Sequence, residues 1–426
     1  MMDNNHYDII VIGGGPAGTS SAIFLSRRGY RVLLLDQSRF PRDKVCGEFI
    51  SPAADAILEE LGVLSSIEAG SPMRLNGLTI SSYQRESFSV DYPPLPASGR
   101  IMTSLSLPRI LLDHLLVKQA VNAGVEVREE HKVTDFIFDG GNVSGVEGLD
   151  GTKTPFRFTS RIVVDAGGRN AVSLRRFNLK RNGSRKSKIA LAAHWENVSL
   201  PRNHCYMHIS PPGYTGIAPV GERKANVVLV VDSAVLKGRE RDAFYREAVL
   251  GNSLRRDLLR GGEMAEKARG VDSLAYSVGR PDCDGLVLVG DAMGFIDPFT
   301  GEGIYLSLRS SQIAAGVIDS AIRRGDCSRE GLSEYERVRE REFRKKFLLS
   351  KILQRLIYHP ALCNRVVRTL GENPGLAEML VGVIGDYFPA AEVVSLKFLA
   401  RLIIKGCGPE NKGPFFKGVR PQPTRD

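Results

Sequence analysis

The chain is poor in tryptophan, histidine and cysteine for its length. Its 426 residues include one tryptophan, seven histidines and six cysteines. The cysteines are scattered without metal-ligand spacing, which excludes a zinc framework and favours free thiols in a reducing compartment. No apolar segment reaches the length of a membrane span, and no signal peptide precedes the first predicted strand. These absences predict a cytoplasmic protein with no bound metal.

The chain also lacks acidic residues to balance its basic ones. The formal net charge is +10, and most of the excess lies beyond residue 322. No nucleic-acid-binding motif or repeated aromatic platform accompanies this charge, so nucleic acid is not an expected partner. A basic, partly apolar tail favours peripheral contact with an anionic surface, here the inner face of a membrane. A solvated basic face is the alternative.

The N-terminal segment has the pattern of a dinucleotide-binding unit. An apolar strand over 7–12 runs into a glycine-rich turn and a helix that ends near Gly29. Glycines at the turn permit a sharp bend, close approach of a pyrophosphate, and packing of the helix on the strand. A second strand over 32–35 ends at an aspartate, where a carboxylate can accept hydrogen bonds from a ribose. The predicted cofactor-binding residues here are Gly13, Gly15, Pro16, Ala17, Gly18 and Asp36.

A second glycine-and-acid turn lies far along the chain. An apolar strand over 286–289 runs into Gly290 and Asp291, and Gly301 and Gly303 precede a helix over 304–323. This arrangement resembles the second FAD signature of the class A flavin monooxygenase and geranylgeranyl reductase superfamily. The resemblance implies that the aspartate holds the ribityl chain and that the two later glycines meet the flavin pyrimidine edge. It therefore implies FAD as the cofactor, with a helix N-terminus stabilising the anionic reduced ring.

Further motifs extend this resemblance over roughly residues 6–325. Arg109 opens an amphipathic helix over 110–120 and is similar to the family's flavin-contacting arginine. A salt-bridged surface arginine is the alternative. Residues 165–169 depart from the hydroxylase form of the family's Asp-Gly motif and look closer to the Asp-Ala-Ser-Gly-Arg form of flavin halogenases, which argues against binding of NADPH by the chain itself. The expected reductant is NAD(P)H or a separate electron donor.

The resemblance and the strand pattern together predict an α/β fold. A Rossmann-type FAD-binding domain is expected over 1–73, 101–187 and 277–325, and its crossover strands include 132–138, 143–149 and 156–159, before a return strand over 161–164. An inserted antiparallel β-sheet substrate domain is expected over 74–100 and 188–276. A C-terminal helical segment is expected over 326–426, where prolines divide several apolar stretches.

The substrate side of the site is predicted from two short segments. Residues 44–49 resemble the Lys-x-Cys-Gly-Gly stretch of geranylgeranyl reductases, with Glu48 in place of the second glycine. Cys46 is the catalytic candidate, because a cysteine beside a flavin can position a proton; a small buried residue is the alternative.

The second segment, 212–219, is similar in character to the Tyr-x-Trp-x-Phe-Pro segment of the same reductases. Gly216 stands in place of the tryptophan, which predicts a roomier pocket. Tyr214 and Pro219 are the predicted substrate-binding residues, and core packing is the alternative for both. His194, on an apolar strand, is expected to be a hydrogen-bonded core residue rather than a base.

The motifs together predict an FAD-dependent oxidoreductase acting on a hydrophobic, isoprenoid- or polyketide-like small molecule. Monooxygenation and reduction of a carbon–carbon double bond both remain open. A flavin-dependent halogenase is an alternative, although the paired tryptophans of tryptophan halogenases are missing. A non-catalytic prenyl- or lipid-binding protein on the same fold is another, but it would have no need of the phosphate, ribose and ribityl motifs.

Overall fold

The structure is a computed structural model that describes residues 5–182, 188–272, 274–295 and 298–404. The strands, in chain order, are β1 His6–Ile12, β2 Val32–Leu35, β3 Phe49–Ile50, β4 Met73–Leu75, β5 Gly77–Ser81, β6 Ser87–Asp91, β7 Ser104–Ser106, β8 Glu126–Arg128, β9 Lys132–Asp139, β10 Asn142–Leu149, β11 Pro155–Asp165, β12 Lys180–Asn182, β13 Lys188–Glu196, β14 His204–Ser210, β15 Gly213–Gly221, β16 Lys224–Asp232, β17 Glu263–Met264, β18 Arg269–Asp272, β19 Tyr276–Val278, β20 Leu286–Leu288 and β21 Gly294–Phe295. The α-helices are α1 Pro16–Ser26, α2 Ala54–Glu60, α3 Leu64–Ala69, α4 Arg109–Asn122, α5 Val172–Arg176, α6 Arg241–Leu250, α7 Ser253–Leu258, α8 Gly303–Arg324, α9 Ser333–Ile357, α10 Pro360–Glu372, α11 Pro374–Ile384 and α12 Leu396–Ile404.

The first sheet brings both glycine-and-acid turns to one edge. Its strand order is β8-β2-β1-β11-β10-β9, and β20 also pairs with β11. Strands β2, β1, β11 and β20 run parallel, and Ile12 is in register with both Leu35 and Asp165. Parallel strands in register end at a common edge, which is where ligands bind in open α/β sheets. The turns that follow these four strands therefore meet there.

Strand β11 is one continuous element where the sequence predicts two. Its first half pairs antiparallel with β10, and its second half pairs parallel with β1 and β20. The predicted break near Ser160 is absent, because pairing with β10, β1 and β20 continues across this position. The crossover hairpin thus extends directly from a central strand of the Rossmann-type sheet.

Helix α1 is buried along nearly its whole length. It packs between the first sheet, α4 and α8, and its small residues let these elements approach closely. The long helix α8 lies across α1, and the Ser311 hydroxyl on α8 donates to the Ala17 carbonyl at 2.7 Å. This hydrogen bond links α8, which follows the distal turn, to α1, which follows the first turn.

The second sheet has the order β17-β13-β16-β15-β14-β5-β6, with β18 also on β13. All of its pairs are antiparallel except β14 with β5. One face packs against α6 and α7, and the other packs against apolar residues of α9 to α12. The predicted fold class is confirmed; the residue boundaries of the domains stay predictions.

The C-terminal helices cover the second sheet with their apolar faces. Val366 and Val367 of α10, and Val381 and Ile384 of α11, belong to the same buried cluster as the sheet residues. No helix within the described ranges is both long enough and apolar enough to cross a membrane. The part of the predicted C-terminal helical segment from 405 onward lies outside the described residues.

Candidate flavin and substrate site

The first glycine turn packs against the turn that follows β11. Gly13 has a positive φ of 99°, and a Cβ placed there would lie 2.7 Å from the Ala166 carbonyl oxygen. A Cβ at Gly18 would lie 1.7 Å from the Gly13 carbonyl oxygen. Both positions therefore require glycine. Pro16 is the first residue of α1, followed by Ala17, so the unpaired amide groups of this helix end face the sheet edge.

Asp36 lies beside this turn, as its spacing predicts. Its carboxylate accepts hydrogen bonds from the backbone amides of Gly14 at 2.6 Å and Ser38 at 2.7 Å. The residue is 7% exposed and lies 3.8 Å from the Arg42 guanidinium. A buried, oriented carboxylate at this position has further lone pairs for a ribose diol.

The distal turn is in direct contact with the first one. Gly290 has a positive φ of 59°, and its missing Cβ would lie 2.7 Å from the Cβ of Ala17. Its amide donates to the Ser310 hydroxyl at 3.1 Å. Asp291 follows, and its Cβ lies 4.0 Å from the Cβ position of Gly168 in the turn after β11. Two motifs that are remote in sequence thus form one cleft.

Three cations line this cleft. The Arg109 guanidinium and the Arg42 guanidinium both pair with Asp113, at 2.8 Å and 3.1 Å. A Cβ built on Gly15 would lie 3.8 Å from Arg42 and 3.9 Å from Arg109. The third cation is Lys44, whose pKa is lowered by burial and by the neighbouring Arg109. Pyrophosphate is the group that a helix N-terminus and clustered cations bind best.

The Asp291 carboxylate is an acidic group of the same cleft, beside the turn that follows β11. Burial raises its pKa, and the charges of Lys44, Arg169 and Arg109 oppose that rise. No hydrogen bond to this carboxylate is found among the described residues, so its oxygens are available to hydroxyl donors. Together, the glycine cradle, the cations and the two aspartates fit the pyrophosphate, ribose and ribityl groups of FAD.

The predicted pyrimidine-edge turn lies at the start of α8. Gly301 has a positive φ of 72°, and a Cβ there would lie 2.7 Å from the Phe49 ring. Gly303 opens α8 and would have no neighbour within 4 Å of an added Cβ. The turn is therefore shaped by Phe49 on one side and open on the other. Asp297, which lies between Asp291 and Gly301 in the sequence, is outside the described residues.

An apolar cavity of about 90 Å³ lies between this turn and the second sheet. Tyr214 lines it and contacts the Phe299 ring edge-on, with ring centroids 5.1 Å apart. Cys205 also lines it, and burial raises the pKa of that thiol to about 12. Pro219, farther along β15, is not among the lining residues. The remaining walls are Gly47, Phe49, Leu78, Ile80, Met207, Gly216, Ile217, Ala218, Val228, Val230, Thr300, Gly301 and Ile384.

Cys46 lies on the turn between the cation-lined cleft and this cavity. It is half-buried, and its sulfur accepts the Glu48 backbone amide at 3.4 Å. Its carbonyl oxygen accepts a hydrogen bond from the Asn226 side chain on β16 at 2.7 Å. The turn is therefore held against the second sheet. The catalytic role of Cys46 stays a prediction.

Glu48 connects this turn to His194 on β13. Glu48 has a positive φ of 56° and is 2% exposed. Its carboxylate accepts the Arg109 backbone amide at 3.0 Å and pairs with His194 Nε2 at 2.8 Å. A left-handed conformation costs a residue with a Cβ about 1–2 kcal/mol. Charge-assisted hydrogen bonds of about 1.5–3 kcal/mol each offset that cost.

His194 is hydrogen-bonded on both ring nitrogens. Nδ1 pairs with the Glu266 carboxylate at 2.9 Å, opposite Glu48 on Nε2. The pKa of His194 is raised by the hydrogen bond to Glu48, and burial opposes the rise. The expectation of a hydrogen-bonded buried residue fits these contacts, but the two carboxylate partners are a feature that the sequence reasoning missed.

The chain belongs to the FAD binding domain family, whose family model matches residues 6–347. This match covers both turns and the sheet between them. The protein is therefore a flavoprotein enzyme with FAD as its cofactor and FAD-dependent redox activity, in agreement with the geometry of the cleft.

Its relatives include enzymes of different chemistry. It is 26% identical over 364 residues to the 1H-pyrrole-2-carbonyl-[peptidyl-carrier protein] chlorinase of Pseudomonas fluorescens, covering 79% of this chain and 80% of that one. It is 28% identical over 413 residues to the digeranylgeranylglycerophospholipid reductase of Methanocella arvoryzae, covering 89% of this chain and all of that one. The solved structure of the flavin-dependent brominase Bmp2 matches with a TM-score of 0.78 at 20% identity, over 91% of this chain and 97% of that one.

The structure thus brings the predicted cofactor residues of both turns, and Arg109, to one cleft, with Cys46 on the adjoining turn and Tyr214 in the wall of the apolar cavity. Arg42, Lys44, Glu48 and His194 were not predicted as site residues. The replacement of a family glycine by Glu48 was the one signal in the sequence that could have identified the last two.

Proposed function

We propose that this enzyme reduces a carbon–carbon double bond in a hydrophobic, isoprenoid-like substrate. The observation that carries the proposal is the apolar cavity, which extends from the Gly301 turn to Gly47 beside Cys46. Its described lining residues include no Asp, Glu, Lys, Arg or His. Such a wall suits an aliphatic chain and offers no charged partner for a polar substrate.

The reaction needs a hydride at one alkene carbon and a proton at the other. Reduced FAD, when bound, supplies the hydride and is left oxidised. The chain supplies the enclosure that excludes water, and Cys46 holds the proton that completes the new C–H bond. A two-electron donor, NAD(P)H or a separate reduced carrier, then restores the reduced state.

The relatives support reduction without deciding it. The archaeal relative that is matched over its full length is named as a reductase of a digeranylgeranyl lipid, whose chains are apolar and unsaturated. Gly216, in place of a tryptophan, leaves the wall of this apolar cavity without a large ring at that position. The substrate class of this chain is therefore proposed to be a polyprenyl lipid or a related isoprenoid.

Oxygen-dependent halogenation is the second candidate. The similarity to a chlorinase over most of both chains favours it. It would need oxygen and a halide in addition to reduced FAD, and monooxygenation would need oxygen alone. Reduction needs neither, so the oxygen requirement separates the three reactions.

Anaerobic turnover tests the proposal. The FAD-loaded enzyme is incubated with dithionite and digeranylgeranylglycerophospholipid, with and without oxygen, and the lipid is examined by mass spectrometry. We expect two added hydrogens per reduced double bond in the absence of oxygen. An oxygenated or halogenated product that forms only with oxygen would overturn reduction in favour of the corresponding alternative.

Contact with a membrane surface is proposed as the route to such a substrate. Helix α9 carries many basic residues, and the basic segment after Ile404 lies outside the described residues. Electrostatic attraction to anionic lipid predicts co-sedimentation with phosphatidylglycerol vesicles that weakens with added salt. Equal recovery with neutral phosphatidylcholine vesicles would contradict this route.

A further inference from the structure

We propose that Glu266, His194 and Glu48 form a path that carries protons from solvent to the turn holding Cys46. This inference rests on the proposed reduction, because that reaction consumes one proton for every double bond. It assigns a proton-supplying role to three residues that lie outside the FAD cleft itself.

The three side chains form an unbroken hydrogen-bonded chain. The Glu266 carboxylate lies 2.9 Å from His194 Nδ1, and the Glu48 carboxylate lies 2.8 Å from His194 Nε2. The Glu266 side chain is 33% exposed, whereas that of Glu48 is 2% exposed. The hydrogen-bonded path therefore begins at the protein surface, at Glu266, and ends at the buried Glu48.

The buried end adjoins the predicted reaction space. Glu48 lies between Gly47 and Phe49, which both line the apolar cavity, and its backbone amide donates to the Cys46 sulfur. Its carboxylate also accepts the backbone amide of Arg109 in the cofactor cleft. One residue therefore touches the cysteine turn, the cofactor cleft and the histidine.

The backbone conformation of Glu48 indicates a functional role for its carboxylate. Its left-handed conformation is one that glycine adopts without cost, and the resembling reductase stretch has glycine there. A buried carboxylate in a strained conformation beside an active site is a feature for which function is the reasonable inference. Its partners here are a titratable imidazole and a backbone amide.

The charges around His194 favour its protonated form. Glu48 and Glu266 favour the imidazolium form of His194, and Lys224 on the neighbouring strand opposes it. At the outer end, Arg269 pairs with Glu266 at 3.1 Å and with Asp43 at 2.7 Å. The hydrogen bond to Glu48 and the two carboxylate charges outweigh both burial and the lysine, so the pKa of His194 lies above its ordinary value.

The proton transfers balance in sequence. The S–H bond of Cys46 breaks as the alkene carbon gains its proton, which leaves a thiolate. The His194 imidazolium gives its Nε2 proton to the Glu48 carboxylate, which passes a proton to that thiolate, so that the Nε2–H bond breaks and the S–H bond forms again. Neutral His194 keeps its proton on Nδ1; rotation of the ring turns that nitrogen towards Glu48, and the other nitrogen takes a proton from solvent through Glu266, which restores the imidazolium. These steps transfer protons only, since the hydride supplies both electrons that reduce the double bond.

Three variants of the FAD-loaded enzyme test the path. His194→Gln and Glu48→Gln retain hydrogen-bonding groups but cannot relay a proton at neutral pH. His204→Gln is the matched control, because His204 on β14 of the same sheet pairs with Asp91 at 2.8 Å, away from the cavity. We expect both relay variants to slow anaerobic product formation by about 10²-fold, the general-acid range, with unchanged KM and FAD affinity. We expect the control to match the wild type.

Two further readouts distinguish a relay from a structural role. ¹⁵N NMR of the oxidised holoenzyme without substrate should show a His194 pKa above the ordinary range, which falls in Glu48→Gln. Wild-type turnover should decline as pH rises through that pKa, and His194→Gln should lose this dependence. Wild-type rates in both relay variants, or a loss of FAD affinity equal to the loss of rate, would overturn the path while reduction stands. Absence of anaerobic product from the wild type would instead overturn the proposed function, and the path with it.

Discussion

Gly290 and Ala17 are in contact although 272 residues separate them: a Cβ on the glycine would lie 2.7 Å from the Cβ of the alanine. This contact joins the distal turn to the first turn of α1. Because Gly290 also has a positive φ of 59°, any side chain there is both crowded and strained. The two halves of the cofactor site therefore depend on one glycine.

Gly290→Ala is expected to disrupt both stability and FAD binding. Overpacking costs about 1–3 kcal/mol and the left-handed backbone about 1–2 kcal/mol more. We expect a lower melting temperature and protein purified with little or no bound flavin. Gly316→Ala is the control, since a Cβ at this α8 position meets nothing within 4 Å. It should raise the unfolding free energy by up to about 1 kcal/mol. Equal flavin content in the two variants would contradict the contact.

Asp291→Ala should weaken FAD binding without unfolding the protein. A hydrogen bond to a charged group contributes about 1.5–3 kcal/mol, which corresponds to a roughly 10- to 100-fold higher Kd. Fluorescence titration of the flavin measures this change. Asp282→Ala is the matched control, because that aspartate side chain is 90% exposed and pairs only with surface Arg329 among the described residues. Unchanged affinity in Asp291→Ala would show that the ribityl assignment is wrong.

Gly216→Trp should close the apolar cavity without affecting the flavin. Gly216 lies on β15 opposite Met207 and Val228, and the nearest atom to an added Cβ is the Met207 methyl at 3.8 Å. A large ring there extends into the space proposed for the substrate. We expect normal FAD content and at least a tenfold loss of kcat/KM for long polyprenyl chains. Retained activity on these chains would place the substrate elsewhere.

His208 should make stability depend on pH between about 4 and 6.5. Its pKa is lowered to about 4 by burial and by nearby Arg255. Within this range the unfolded state binds a proton that the folded state does not, so stability rises with pH. The shift corresponds to about 3 kcal/mol. The unfolding free energy of the wild type, relative to His208→Gln, should therefore fall by that amount as pH drops from 7 to 4. A constant difference would contradict this assignment.

The sequence was most informative where backbone geometry dictates the residue. Gly13, Gly18 and Gly290 each meet another atom too closely for a Cβ, so the glycine pattern located the cleft. Continuous apolar runs located β1, β2 and β20, because strands buried on both faces of a parallel sheet are apolar throughout. The glycine pattern and the apolar strands can be recognised from adjacent residues, although the atoms that exclude a Cβ at Gly13 and Gly290 belong to residues remote in the chain.

The rest of the site depends on contacts that sequence spacing does not encode. His194 contacts Glu48, from which it is 146 residues distant in the chain, and Glu266 joins this group through His194. The merging of two predicted strands into β11 likewise depends on its three neighbours. Tertiary pairing of this kind overrides local strand signals.

The most direct test of the account is stopped-flow absorbance of the FAD-loaded, dithionite-reduced enzyme mixed with digeranylgeranylglycerophospholipid under strict anaerobiosis. We predict that the oxidised flavin spectrum returns with the lipid alone, and that Gly216→Trp slows this return at least tenfold. A spectrum that stays reduced until oxygen is admitted would contradict the proposal that this cavity delivers a double bond to the flavin for reduction.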